Sequence, residues 1–595
     1  MIVLMRTALL LVLSGCSGGS STGGGDAVAP EPDQAPAELA KLGKVRHSWD
    51  PEVGDKSVPA DLGGPGFTGE GWLTHDEVYQ IANPEAPQGG SMTMPLPDWP
   101  ATLRIAGENY NTAFVYEVRP LLYDTLLDLD SVTLDFAPRL ATHWWISEDR
   151  QTYRFRINPA ARWSDGEEIT AEDVVATYDL LMDPTLRDPS AILTYGKLDR
   201  PVAKSKYIVE VTAKEDNWRN FLYFAGSMAI LPAHQIKGLK GSDYLDRYQF
   251  AYTATSGPYE VKADAIDMGN SITVTRRADW WGEPNPAWDG WYNIGTLKYV
   301  VVKDPQLQFE KIKKHELDYM FVPKAQWWAE DIPALDSVQR GLLVPRKFYT
   351  DAPIGTSGIA LNTQRPPLDD PKVRRALLLL YDRPTMIEKV FFGEYEPLTS
   401  YYQGGMYANP NNQEYPYDEV GAVELLEEAG WKEKNAEGYR MKDGQELVLN
   451  LIYRSQLSER SLTVYQEACK RAGVRLELQL LTPAALFKNV QDKEYQTSEM
   501  AWGALLFPNP ETSWSSKLAD QPANNNITGF ADPQVDELLT EYDVRSGSRL
   551  VRQIDGILYE QNNYVLGWYS PSQRVLYWNK FGMPAWGVAD RRVLG

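Results

Sequence analysis

The apolar positions of this chain change period repeatedly, and each change marks an element. Residues 152–157 alternate Tyr153, Phe155 and Ile157 against Arg154 and Arg156, the period of a strand with one buried face. Asp165-Gly166 predicts a turn, and Thr170 with Asp173 forms a capping-box variant opening a helix. That helix carries Val174, Tyr178 and Leu181 on one face and should stop before Pro184. Asp370 and Pro371 fit the N-cap and first position of a helix with Val373, Ala376, Leu377 and Leu380 at helical spacing. Asp418 can cap a helix bearing Ala422, Leu425, Leu426 and Ala429, stopped by Gly430. Ser458 can cap one bearing Leu462, Tyr465, Cys469 and Ala472, ended by Gly473. Val474, Leu476, Leu478 and Leu480 then alternate with Arg475, Glu477 and Gln479 as a strand. Helix followed at once by strand, repeatedly, is the pattern of α/β lobes.

One stretch departs from these periods. Residues 500–507 are a short uncharged run closed off by Pro508 and Pro510, a length that suits a strand buried on both faces. Gly503 leaves a backbone position bare, where another chain could approach. Two readings fit: a strand end opening into a ligand cleft with Trp502 as a wall, or a core strand with a tryptophan plug.

Length and charge narrow the class. At 595 residues the chain can build two or more cores. A net charge of −22, with no basic stripe, argues against nucleic acid as a partner. The 19 Trp, 33 Tyr and 16 Phe could line a wide cleft or fill ordinary cores.

The N-terminus addresses the compartment. Arg6, the apolar run 8–13 and Leu13-Ser14-Gly15-Cys16 read as a signal peptide over 1–15. Leu-Ser-Gly-Cys also resembles the bacterial lipoprotein box, which implies lipidation of Cys16. The run is far below the ~20 residues of a spanning helix. Residues 16–45, Gly/Ser-rich and then Pro/Ala-rich, read as a flexible tether. Cys469 falls at a core position of its helix.

Catalytic and metal chemistry find little support. His47, His75, His143, His234 and His315 include no pair at metal-ligand spacing. Asp124, Asp128, Asp130 and Asp135 lack the glycine and terminal glutamate of a calcium loop and read as strand-edge and turn residues. There is no Gly-x-Ser-x-Gly elbow and no Gly-rich phosphate loop before a helix. We expect no enzyme, no metal and no cofactor.

Several blocks then converge. Pro138-x-Leu-Ala141, the 152–157 strand and Trp163-Ser-Asp-Gly-x-x-Ile-Thr-Ala-Glu-Asp-Val174 are followed by Thr255-Ser-Gly-Pro-Tyr259 and residues 277–281. Residues 360–376, Tyr381-Asp-Arg383, Phe392-Gly393, residues 422–430, Ala472-Gly-Val474 and residues 532–539 continue the order. Together they resemble the family 5 extracellular solute-binding proteins, the oligopeptide- and dipeptide-binding components of ABC importers. At 314–318, where the family usually has Gly-x-x-Asp, His315 replaces the glycine.

The resemblance implies a two-lobed α/β fold of the periplasmic-binding-protein type (class II), with an extra subdomain in the first lobe. The first lobe is expected at 46–345 plus 566–595, with the subdomain at about 110–255, and the second at 346–565. The lobes would close over an extended ligand paired main chain to main chain with Met500, Ala501, Trp502, Gly503, Ala504, Leu505 and Leu506. Tyr110, Asn111 and Thr112 would face it from the other lobe. Tyr401, Tyr402 and Gln403, Trp514 and, further off, Trp144-Trp145 are additional cleft candidates.

One departure bears on the ligand. Peptide-binding members usually place an aspartate a few residues after the tryptophan to hold the ligand's α-ammonium, and here Leu505 or Leu506 stands there. Leucine cannot accept a charge-assisted hydrogen bond. Glu108 or Glu511 could take the ammonium instead, or the ligand could lack one. The expected partners are a peptide or peptide-like solute, an ABC permease with its ATPase, and a membrane touched only through the lipid anchor, the protein itself being a monomer. A sensor-linked binder, a glycan or metal-chelate ligand, and an exported hydrolase are the alternatives.

Overall fold

The computed structural model describes residues 43–582, apart from 111, 131, 351–352, 523 and 546, together with 592–593. The signal peptide, Cys16 and nearly all of the tether therefore lie outside the described residues, as does Asn111.

Each lobe is built on its own sheets. In the first, Gly89–Leu96 runs parallel to Ile294–Val301, which pairs antiparallel with Ser271–Arg276; short strands at Tyr259–Glu260 and Ile266–Asp267 complete the sheet. A four-stranded sheet of Ala141–Ile146, Thr152–Ile157, Ile208–Thr212 and Val202–Ala203 carries the helix Ala171–Leu181. The capping box at Thr170 and Asp173 forms, and the helix ends before Pro184. One continuous apolar core, from Met92 and Leu297 to Phe155 and Val174, joins this sheet to the first.

The second lobe is a five-stranded sheet in the order Arg475–Leu480, Val448–Tyr453, Thr497–Trp502, Thr356–Leu361, Tyr564–Leu566. Helices Pro371–Leu379, Glu419–Glu428 and Glu459–Ala472 cover one face over a core of Ile359, Leu451 and Leu462. The other face buries Ala360, Ile452, Met500 and Leu566 against Ile554 and Leu558 of Ser548–Gln561. Asp370 and Asp418 cap their helices through side-chain oxygens, as their sequence positions suggest. Cys469 is fully buried, and burial raises its thiol to about 12.

The chain passes between the lobes twice. Leu343–Thr350 pairs with Gln573–Trp578 in the first lobe, so the expected boundary at 345/346 falls inside this strand. Thr356–Leu361 and Tyr564–Leu566 belong to the second sheet. Glu394 bridges Lys347 at 2.7 Å and Arg574 at 3.5 Å beside these passages.

Three local expectations change. Ser458 does not cap its helix: a 3-10 turn at Gln456–Ser458 precedes it, Ser455 accepts from Leu457 N, and the Ser458 hydroxyl is left free for another partner. Leu480 is exposed because Arg475–Leu480 is an edge strand. The run 500–507 is not one buried strand: the ladder ends at Trp502, and the chain leaves the sheet at Gly503.

Candidate ligand-binding site

Strand direction gathers several chain ends at one edge of the second sheet. Thr497–Trp502 is parallel to Val448–Tyr453 and antiparallel to Thr356–Leu361, so Trp502, Tyr453, Leu566 and the start of Thr356–Leu361 share one end. Ligands of open α/β sheets sit beyond the carboxyl ends of strands. A cavity of about 400 Å³ lies there.

Its walls come from segments distant in sequence. Residues 502–510, 401–402 and 404–407, Trp514 and Tyr564 line it, together with Leu134 of the first lobe. Among the described residues lining it, none is charged. Trp502 donates from Nε1 to the Tyr564 hydroxyl at 2.9 Å, which fixes the indole plane. The Tyr401 ring meets Trp514 edge-on at 5.1 Å, and its hydroxyl accepts from Tyr564 N at 3.2 Å. These contacts tie the aromatic side chains of the wall to one another.

The main chain after Trp502 is the distinctive feature. Gly503, Ala504, Leu505, Leu506 and Phe507 form no main-chain hydrogen bond to another described residue. A Cβ built on Gly503 would meet no atom within 4 Å, so the space beside this backbone is open. The strand is likewise paired by Val448–Tyr453 only at Thr497 and Ser498. Unpaired donors and acceptors beside a cavity are a template for another extended chain.

The loop 401–407 is held from below by Asp555. This fully buried carboxylate accepts from Tyr401 N at 2.8 Å, Ser400 Oγ at 2.8 Å, Asn409 N at 2.9 Å and Asn412 Nδ2 at 3.1 Å. Burial pushes it up to about 6 despite these donors. Sequence reasoning missed Asp555, although an acid beside Val551, Ile554 and Leu558 on an apolar helix face is a readable signal.

The expected residues divide. Trp502, Gly503, Ala504, Leu505, Leu506, Tyr401, Tyr402 and Trp514 all line the cavity. Met500 and Ala501 lie at the same strand end but border a smaller cavity, described below. Tyr110 and Thr112 are not among the lining residues: Tyr110 packs near Tyr116, and the Thr112 hydroxyl is spent capping Ala113–Leu122. Trp144 is a core residue, and Trp145 lies under Arg154. Glu108 is paired with Arg187 at 3.0 Å and Glu511 with Lys197 at 3.5 Å, so both proposed ammonium acceptors already hold cations.

Contacts between the lobes meet the far end of the 503–507 segment. Trp218 meets Phe507 edge-on and donates from Nε1 to Tyr542 O at 2.9 Å. Arg219, buried beside it, is ion-paired with Asp543.

The sequence profile of the bacterial extracellular solute-binding proteins, family 5 Middle, matches residues 135–525, more than half of the chain. The chain belongs to this family. YejA of Escherichia coli is 26% identical over 559 residues, covering 85% of this chain and 88% of that protein. The oligopeptide-binding protein AppA of Bacillus subtilis, solved with a nonapeptide, matches with a TM-score of 0.69 at 21% identity, over 84% of this chain and 97% of its own. NikA of Brucella suis, solved with Fe(III)-EDTA, matches with a TM-score of 0.70 at 20% identity, over 83% and 96%. The family 5 protein thus has the two-lobed mixed α/β fold of periplasmic binding proteins. No helix among the described residues is long and apolar enough to cross a membrane, and no described cluster of His, Cys, Asp and Glu could hold a metal ion.

Proposed function

We propose that this family 5 protein works outside the cytoplasm, tethered through lipid on Cys16, and captures a peptide or peptide-like solute between its lobes for an ABC permease. The observation that carries this reading is the unpaired main chain 503–507 beside a cavity of about 400 Å³. Main-chain pairing gives affinity without regard to side chains, and a cavity with aromatic walls takes what varies. AppA, which shares the fold, was solved with a nonapeptide. The contact set is Trp502, Gly503, Ala504, Leu505 and Leu506, backed by Tyr401, Tyr402 and Trp514. No covalent step is needed. Ligand favours the closed form by its extra affinity for that form alone.

Mass spectrometry of small molecules released from the purified protein tests this reading. A peptide or acylated peptide is the expected result. A metal chelate, the class that NikA was solved with, would replace the ligand assignment. Intact-mass analysis of membrane-extracted protein tests the anchor, which requires a mature chain beginning at a lipidated Cys16.

A further inference from the structure

The end of the second sheet carries a smaller cavity, of about 190 Å³, on the face opposite the first. Alternation along Thr497–Trp502 explains this: Met500 faces the core beneath the aromatic cavity, whereas Glu499, opposite Ile359 across the ladder, faces the other side with Ala501. Glu499, Ser458, Arg454, Tyr381 and Trp568 line this space. The Ser458 hydroxyl, the one that does not cap its helix, donates to Glu499 Oε1 at 2.5 Å. Tyr381 and Trp568 stack with an interplanar angle of 6° and centroids 5.6 Å apart.

Glu499 closes no ion pair within 4 Å among the described residues; Arg454, exposed at the rim, acts on it through its main-chain N–H and through its charge at longer range. A partly buried carboxylate with no cation in direct contact is costly, and has room for one that a ligand supplies. Burial holds the Glu499 carboxyl above its ordinary range, against the Ser458 hydrogen bond, the Arg454 charge and the Arg454 main-chain hydrogen bond. Aromatic side chains beside it suit a cation further.

We propose that this cavity is a second subsite, taking an ammonium or guanidinium group of the bound solute, with Glu499 as its counter-ion. The proposal rests on the solute-binding reading above and deepens it: the ligand is cationic at one point and uncharged where it meets the aromatic cavity. Ala501, exposed on the same face, marks the path between Glu499 and the open end of the strand.

The test is calorimetric titration with two tripeptides, Ala-Lys-Ala and its analogue with norleucine for lysine, both acetylated and amidated so that the side chain carries the only charge. The native protein should bind the lysine peptide about tenfold more tightly or better. Glu499→Gln, nearly isosteric and relieved of an unpaired charge, should bind the two alike. Ala501→Lys, which supplies an internal ammonium on the same face, should also lose the preference. Equal binding by the native protein, or a preference that survives in Glu499→Gln, overturns the subsite and leaves the solute-binding reading standing. Failure of both peptides to bind the native protein overturns the subsite, while a co-purified ligand would still uphold the broader reading.

Discussion

The indole of Trp218 meets the ring of Phe507 edge-on, with centroids 5.7 Å apart and planes at 82°. Trp218 belongs to the first lobe, while Phe507 ends the unpaired segment that begins just after Trp502. The same few residues therefore line the cavity and touch the opposite lobe. Arg219–Asp543 and Lys197–Glu511 flank this contact with ion pairs. Solute seated against 503–507 would restrain the segment that the first lobe must meet, which couples binding to closure.

Removal of Trp218 should loosen the closed form. An edge-on aromatic pair contributes about 0.5–1.5 kcal/mol beyond its buried area. Trp218→Ala should weaken solute binding by about that amount, and small-angle scattering should show a larger radius of gyration without ligand. Unchanged affinity with an unchanged radius would assign the pair to packing alone.

Trp502→Ala should weaken binding by ~2 kcal/mol or more, as for a buried aromatic anchor. Trp502→Phe keeps most of the wall but loses the 2.9 Å hydrogen bond to Tyr564, and should cost about 1 kcal/mol. Titration of the folded variants with the co-purified solute checks both.

An acid at Leu505 or Leu506 should create a site for a free α-ammonium. Leu505 is 51% exposed, so a carboxylate there is hydrated and carries little burial penalty. Leu505→Asp or Leu506→Asp should raise affinity for a free tripeptide over its acetylated form. If neither substitution creates that preference, the ammonium argument fails.

Glu117 predicts a pH dependence in the first lobe. It accepts from Tyr299 OH at 2.8 Å, and burial pushes its carboxyl up to about 7. The folded state thus holds a proton that the unfolded state releases near pH 4.5. The resulting stability is complete below that value and is lost as pH rises through about 7. Melting curves of the native protein should fall relative to Glu117→Gln across this window, by about 3 kcal/mol. Parallel curves would contradict it.

The fold was largely legible because its helices announce themselves locally. Thr170, Asp370 and Asp418 each act within one turn of where they stand, and apolar spacing finishes the element. The strand 152–157 was readable for the same reason. Less of the site could be read. Trp502 stood out by its proline-bounded run, and Tyr401 and Trp514 by their neighbours. Leu134 and Asp555, however, act on residues far away in sequence, and no local pattern encodes that meeting. Tyr110 and Thr112 enter only through the family resemblance, while the local chemistry of a helix start claims Thr112. Glu499 was hidden in plain view, since alternation within one strand sends it away from the cavity that Trp502 lines.

Small-angle scattering of unliganded protein before and after addition of its co-purified solute tests the central claim most directly. The radius of gyration should fall on addition for the native protein, and should not fall for Trp502→Ala at the same solute concentration. Identical curves for the native protein with and without solute, across a broad panel of peptides and chelates, would contradict capture between two closing lobes.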